Sequence, residues 1–161
     1  MSAWAGFFQT QAGASASLLG LVFVGLSISF TRIIASRYLP NRALEAFLAL
    51  GVNLMVATLG LVPTQSERAF AVEVMVLAAA LWVSVSLLHR HTHRNVEDAV
   101  RRRAYIATSL GQLNGLAWTI GALALLIAGP SGTGFLVPAF LLSYALAMLN
   151  AWVLLVEINR L

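Results

Sequence analysis

The sequence predicts an all-α polytopic membrane protein that crosses the bilayer about five times as helices, and two observations carry that expectation. Of its 161 residues, 60% are hydrophobic and only 10% are charged, whereas a soluble domain keeps about a quarter of its residues charged. The apolar residues also gather into stretches near 20 residues long. A helix of ~20 residues rising 1.5 Å per residue spans the roughly 30 Å hydrocarbon layer. Lipid is the solvent this composition suits, and the bilayer is its first partner.

The first crossing is expected over residues 12–31, closed by Arg32 and preceded by Trp4, Phe7 and Phe8, aromatic residues suited to an interfacial segment. A linker with Arg32, Arg37, Tyr38, Pro40 and Arg42 follows. Tyr38 suits the aromatic belt, Leu39 before Pro40 favours an extended or turn backbone, and Asn41 is placed to cap the next helix. The second crossing takes 43–62 and stops at Pro63. Pro63, Thr64, Gln65 and Ser66 read as a tight turn into a third crossing over 69–88. Then comes the most polar part of the chain, with His89, His91, His93, five Arg, Glu97 and Asp98. The fourth crossing is 104–128, with Tyr105 at its inner boundary. Residues 129–134 carry no charge and little side-chain bulk and read as a loop. The fifth crossing takes 135–156, its entrance shaped by Pro138, and Glu157, Asn159 and Arg160 follow at the membrane surface with Glu157 placed to pair with Arg160. Residues 1–161 form one transmembrane domain with no internal repeat.

Arginine placement sets the orientation. All ten basic residues are Arg, and nine lie after the first crossing, after the third, or in the C-terminal tail, with Arg68 alone in an alternate segment. The positive-inside rule makes those three segments cytoplasmic, so the N-terminus is expected outside and the C-terminus inside. The N-terminus lacks a basic n-region and a small-residue cleavage site, and is read as retained. The general look is that of a small prokaryotic protein of the cytoplasmic (inner) membrane. The net charge of +4 is therefore a topology signal. Arg101, Arg102 and Arg103 read as a membrane anchor, and no nucleic-acid partner is expected.

Enzymatic signatures are absent. There is no cysteine, and the chain contains no H-E-x-x-H, G-x-S-x-G, P-loop or Rossmann fingerprint. With no histidine placed inside a crossing, a membrane haem is not expected either. The expectation is no enzyme and no cofactor. His89 and His93, at i and i+4, are candidate metal ligands on one helical face. Two ligands do not close a zinc site, and Arg90 and Arg94 add positive charge, so no metal is expected.

Polar residues within the crossings are more informative. Asn53, Gln112, Asn114 and Asn150 lie about 10–16 Å from the cytoplasmic ends of their helices. They predict one central layer of amides turned toward each other, backbone groups or water. Glu73 is the acidic residue singled out inside a crossing, about one turn from its outer end, as a cation ligand or proton carrier. The first helix carries the pairs Gly13 and Ser17, Ala16 and Gly20, and Gly25 and Ser29; the fourth carries Gly111 and Gly115. Small residues at this spacing allow close helix packing and self-association.

These residues suggest a homo-oligomeric ion channel or small-solute pore, leaning toward cations, with the first helix nearest the path. Ser15 and Ser17 would form outer hydroxyl rings, Ser27 and Thr31 inner ones, Leu18 and Val24 an apolar constriction, and Glu73 a cation-concentrating group near the outer mouth. The alternative is a non-transporting accessory or assembly subunit bound to another membrane protein, which the short loops and small-residue faces also suit.

Overall fold

The computed structural model describes residues 2–36, 39–94 and 98–158, with side chains described except at residues 2, 91–94, 98–107 and 157–158. The side-chain expectations for Arg37, Tyr38, His91, His93, Arg94, Glu97, Asp98, Arg101, Arg102, Arg103, Tyr105, Glu157, Asn159 and Arg160 lie outside the described residues.

The architecture is helical from end to end of what is described: a short 3-10 turn at Ser2–Trp4, then α1 (Ala5–Ile28), α2 (Phe30–Ala35), α3 (Leu39–Leu59), α4 (Glu67–Arg94), α5 (Asp98–Ala128), a 3-10 segment Gly129–Phe135, and α6 (Leu136–Ile158). Among the described residues, four helical runs are long and apolar enough to cross a membrane: Ala5–Ile28, Leu39–Leu59, Glu67–Arg90 and Thr108–Val156. The protein is thus an all-helical polytopic membrane protein with several long apolar helices.

The fourth run holds both of the last two expected spans. At 1.5 Å per residue its 49 residues would extend roughly 73 Å if straight, more than twice the hydrocarbon thickness. Instead the run folds back on itself. Trp118 packs edge-on against Phe140 with ring centroids 5.0 Å apart, and Ser143 Oγ donates to Asn114 Oδ1 at 2.9 Å, a register that only antiparallel α5 and α6 satisfy. The segment 129–134, expected as a loop, remains helical as a 3-10 turn. Gly129 adopts φ 58° to end α5, a left-handed conformation that glycine takes without steric penalty. A Cβ on Gly132 would overlap the Ala124 carbonyl, so the tip closes directly onto α5.

The expected boundaries shift where local chemistry allows the helix to continue. α3 begins at Leu39 rather than after Asn41, because Pro40 in a first turn lacks only an N–H that would have no intrahelical partner. Its end comes at Leu59, before Pro63. Phe7 and Phe8 do not form an interfacial segment before the first span: α1 already starts at Ala5, and Phe8 is fully buried. Gly60 leaves the space for the Phe8 ring, which meets Phe70 at 5.7 Å between centroids. Phe8, Phe70, Trp118 and Phe140 anchor the largest core cluster.

Beyond Phe8, α1 is peripheral. Only Phe8 and Ser15 are buried along its length, and Leu21, Phe23, Val24 and Ile28 are all exposed. The helix breaks at Ser29, and the short α2 turns Ile33 into a second cluster with Leu39, Ala43 and Leu154.

Candidate functional site

The sequence places a carboxylate, Glu45, seven residues into α3, on the same helical face as Ala49, Val52 and Val56. That face is buried, so the carboxylate is carried inward; only 3% of Glu45 remains exposed. Both of its oxygens are met. His89 Nε2, from α4, lies 3.1 Å from Oε1, and Asn150 Nδ2, from α6, donates to Oε2 at 3.1 Å.

Donor chemistry orients every bond in this network. An indole N–H only donates and a guanidinium only donates. Trp82 Nε1 donates to Gln112 Oε1 at 2.6 Å, which turns the Gln112 amide nitrogen toward Ser86 Oγ at 3.2 Å and His89 Nδ1 at 3.4 Å. Nδ1 then acts as acceptor, and the imidazole proton sits on Nε2, facing Glu45. On the other side Arg42 donates to Asn150 Oδ1 at 3.0 Å, leaving the Asn150 nitrogen to donate to Glu45. Two arms, each fixed at its far end by a donor-only group, converge on one carboxylate. Four helices contribute to it.

Gly111 completes the site. A Cβ there would overlap Glu45 Oε1 and lie 2.8 Å from His89 Cε1. The Gly111 and Gly115 pair, expected as a general packing motif, is divided in use: Gly115 faces the Trp82 ring, while Gly111 makes room for Glu45 and His89.

The single central amide layer is not what forms. Gln112 and Asn150 belong to the Glu45 network, whereas Asn114, two residues beyond Gln112 on α5, and Asn53 bond to other partners. From Glu45 to Asn53 is eight residues, about 12 Å along a helix. Trp118 Nε1 donates to Ser143 Oγ at 3.0 Å, which in turn donates to Asn114 Oδ1. Asn53, fully buried, donates to the Phe140 carbonyl at 3.4 Å while its Oδ1 has no hydrogen-bond partner. Depth alone does not say which way each amide points, and Gln112 and Asn114, two residues apart on α5, turn to different partners.

The residues expected along a pore do not share one face of the chain. Ser15 is buried and hydrogen-bonded to the Tyr144 hydroxyl at 2.9 Å, and that hydroxyl donates to the Gln11 carbonyl at 3.2 Å. Leu18 packs beside the cluster of Ala46, Leu50 and Ala147. Ser17, Val24 and Ser27 are exposed on the other side of α1, with Ser27 Oγ bonded to the Phe23 carbonyl at 2.8 Å, and Thr31 is exposed on α2. Gly13, Gly20 and Gly25 have open space where a side chain would be. Glu73 accepts a hydrogen bond from Gln65 in the preceding turn.

His89, expected in a solvated interfacial loop, is half-buried with its imidazole against the buried Glu45 carboxylate. Its partner in the proposed metal face, His93, lies outside the described side chains. Among the described residues no group of three His, Cys, Asp or Glu is arranged to hold a metal ion. Glu45 itself escaped the sequence reading although it falls within the expected 43–62 span. Its place on the Ala49, Val52 and Val56 face was the available signal. Comparison of the chain with models of protein families, with curated proteins and with solved structures gives no match.

Proposed function

We propose that the protein is a small cation-transporting membrane protein, with the proton as the first candidate cation, whose working centre is the Glu45 and His89 pair. The observation that supports this reading is a titratable carboxylate–imidazole pair enclosed by four helices. Ionisable groups are costly inside a membrane bundle and commonly mark ion or proton pathways. The oriented network gives the pair a mechanism. As a carboxylate, Glu45 has donors on both oxygens; once protonated, its O–H would have to face a donor. A second proton on His89 would place Nδ1–H against the Gln112 amide nitrogen. Either protonation forces the network to rearrange, so proton arrival is coupled to side-chain motion among α3, α4, α5 and α6.

In this reading the chain makes five crossings, because the last apolar run is a hairpin, with the N-terminus outside and the C-terminus in the cytoplasm of a prokaryotic cell. Reporter fusions after Pro40, Gln65, Asn95, Ser131 and Leu161 then read inside, outside, inside, outside and inside. The opposite sign at Leu161 overturns the orientation. Self-association uses the outer face of α1, where Gly13, Ser17 and Gly20 are exposed. Ser17, Val24, Ser27 and Thr31 contribute to the path only if α1 faces a symmetry axis.

The experiment is proton flux into liposomes carrying purified protein, driven by an imposed membrane potential and followed with an enclosed pH dye. Wild type conducts; Glu45→Gln does not; Glu73→Gln retains most of the flux. Ser17→Trp reduces flux only if the route runs between copies. The same exposed α1 face favours a second reading, an accessory subunit. It predicts no flux of any common ion from the purified protein and stable recovery with a different membrane protein.

A further inference from the structure

Asn53 lies in the second half of α3, fully buried, and its amide nitrogen donates to the Phe140 carbonyl at 3.4 Å. That bond fixes which way the amide faces, since turning it over would set Oδ1 against the Phe140 oxygen, acceptor against acceptor. Among the described residues no group donates to Asn53 Oδ1. A buried acceptor left unmet is destabilising, and folded proteins meet nearly all of theirs with protein groups or ordered water.

The hydroxyls beside it have no proton left to give. Ser15, fully buried on α1, lies 2.9 Å from the Tyr144 hydroxyl, and Tyr144 donates its one proton to the Gln11 carbonyl at 3.2 Å. The proton in the Ser15 and Tyr144 bond therefore comes from Ser15, whose oxygen keeps its capacity to accept. Helix register brings that oxygen to the level of Asn53. Phe8 meets Gly60 at one end of the antiparallel α1 and α3 pair, and Phe23 meets Phe47 toward the other, so Ser15 falls opposite Asn53 midway between them. Both residues also reach the same turn of α6, at Tyr144 and Phe140.

Two acceptors at one level call for a small molecule with two protons to donate. A cation would also satisfy oxygens, yet Asn53, Ser15, Tyr144 and the Phe140 carbonyl are neutral, and a charge buried without a counter-charge is strongly disfavoured. Glu45 does not supply one: Ala46, Leu50 and Ala147 form an apolar cluster in the stretch of α3 and α6 between Asn53 and Tyr144 on one side and Glu45 and Asn150 on the other. Water is the neutral molecule that fits, and buried waters of this kind commonly make two to four hydrogen bonds.

We propose that the seam between α1, α3 and α6 holds one internal water, which donates to Asn53 Oδ1 and Ser15 Oγ and ties the otherwise peripheral α1 to the bundle. The site is independent of the transport reading. The test is water-edited solid-state NMR of the full chain in phospholipid bilayers, following magnetisation transfer from water to the side-chain amide carbons of Asn53 and Asn114. Asn114 is as deeply buried, but its Oδ1 is met by the Ser143 hydroxyl, which makes it the dry reference. In wild type the Asn53 signal is expected to build up several-fold faster than that of Asn114. Ser15→Val removes one acceptor and fills the space with methyl groups, and it brings the Asn53 rate down to the reference; Ser17→Val, at an exposed position on the same helix, behaves as wild type. Equal rates for the two amides in wild type overturn the proposal, whatever the variants do. So does a fast Asn53 signal that Ser15→Val leaves unchanged. A shift of the Asn53 signal when sodium or ammonium replaces choline at constant ionic strength overturns it in favour of a bound cation.

Discussion

Two polar networks that come within two residues of each other on α5, at Gln112 and Asn114, diverge along α6, where Asn150 and Ser143 stand about 10 Å apart. The outer one, Trp118, Ser143 and Asn114, is neutral and forms a short line of hydrogen bonds between α5 and α6. The inner one holds Glu45, His89 and Arg42, ties four helices together, and brings His89 and Asn150 as donors to one carboxylate, with Gln112 and Arg42 bonded behind them. Neutral hydrogen bonds suffice to hold membrane helices together. A buried ionisable group costs desolvation that an apolar substitute would not, so its presence asks for a use beyond adhesion.

The largest effect that separates the two comes from Glu45. Glu45→Ala leaves Asn150 and His89 without their shared acceptor and is expected to cost about 3 kcal/mol, since two enclosed donors go unsatisfied at roughly 1–3 kcal/mol each. Thermal unfolding in detergent measures it, alongside loss of proton flux. A stability change below that of the outer-network variants would remove the distinction drawn between the two. Next comes Gly111→Ala, which adds no polar group but displaces the Glu45 carboxylate; overpacking of this kind costs roughly 1–2 kcal/mol. Its flux should fall as in Glu45→Gln, whereas Gly115→Ala, against the Trp82 ring, affects stability with flux retained. The smallest effect is that of Asn114→Ala, about 1 kcal/mol, the size typical of a membrane hydrogen bond. Flux should be preserved, and a loss equal to that of Glu45→Gln would extend the pathway into the outer network.

The membrane class was legible because hydrophobic length and charge scarcity are additive properties of the sequence. The near-continuity of α5 and α6 was less so: Gly129, Pro130, Ser131 and Gly132 read as a loop, but their small side chains also permit a 3-10 turn held close to α5. Glu45 was missed for a different reason. The direction of its side chain is set by packing of α3 against α4 and α6, which no single helix reveals. Gln112, Asn150 and His89 each drew notice alone; what brought them together was antiparallel register.

The tight turn at Gly132 bears on how the chain enters the bilayer. The tip Gly129–Phe135 carries no charged side chain, so drawing it through hydrocarbon requires no charge transfer. The turn between α3 and α4, by contrast, is followed at once by Glu67 and Arg68, both exposed at the start of α4. Insertion of α5 and α6 as one preformed hairpin follows naturally, with Trp118 and Phe140 already in contact while the pair is still being threaded into lipid.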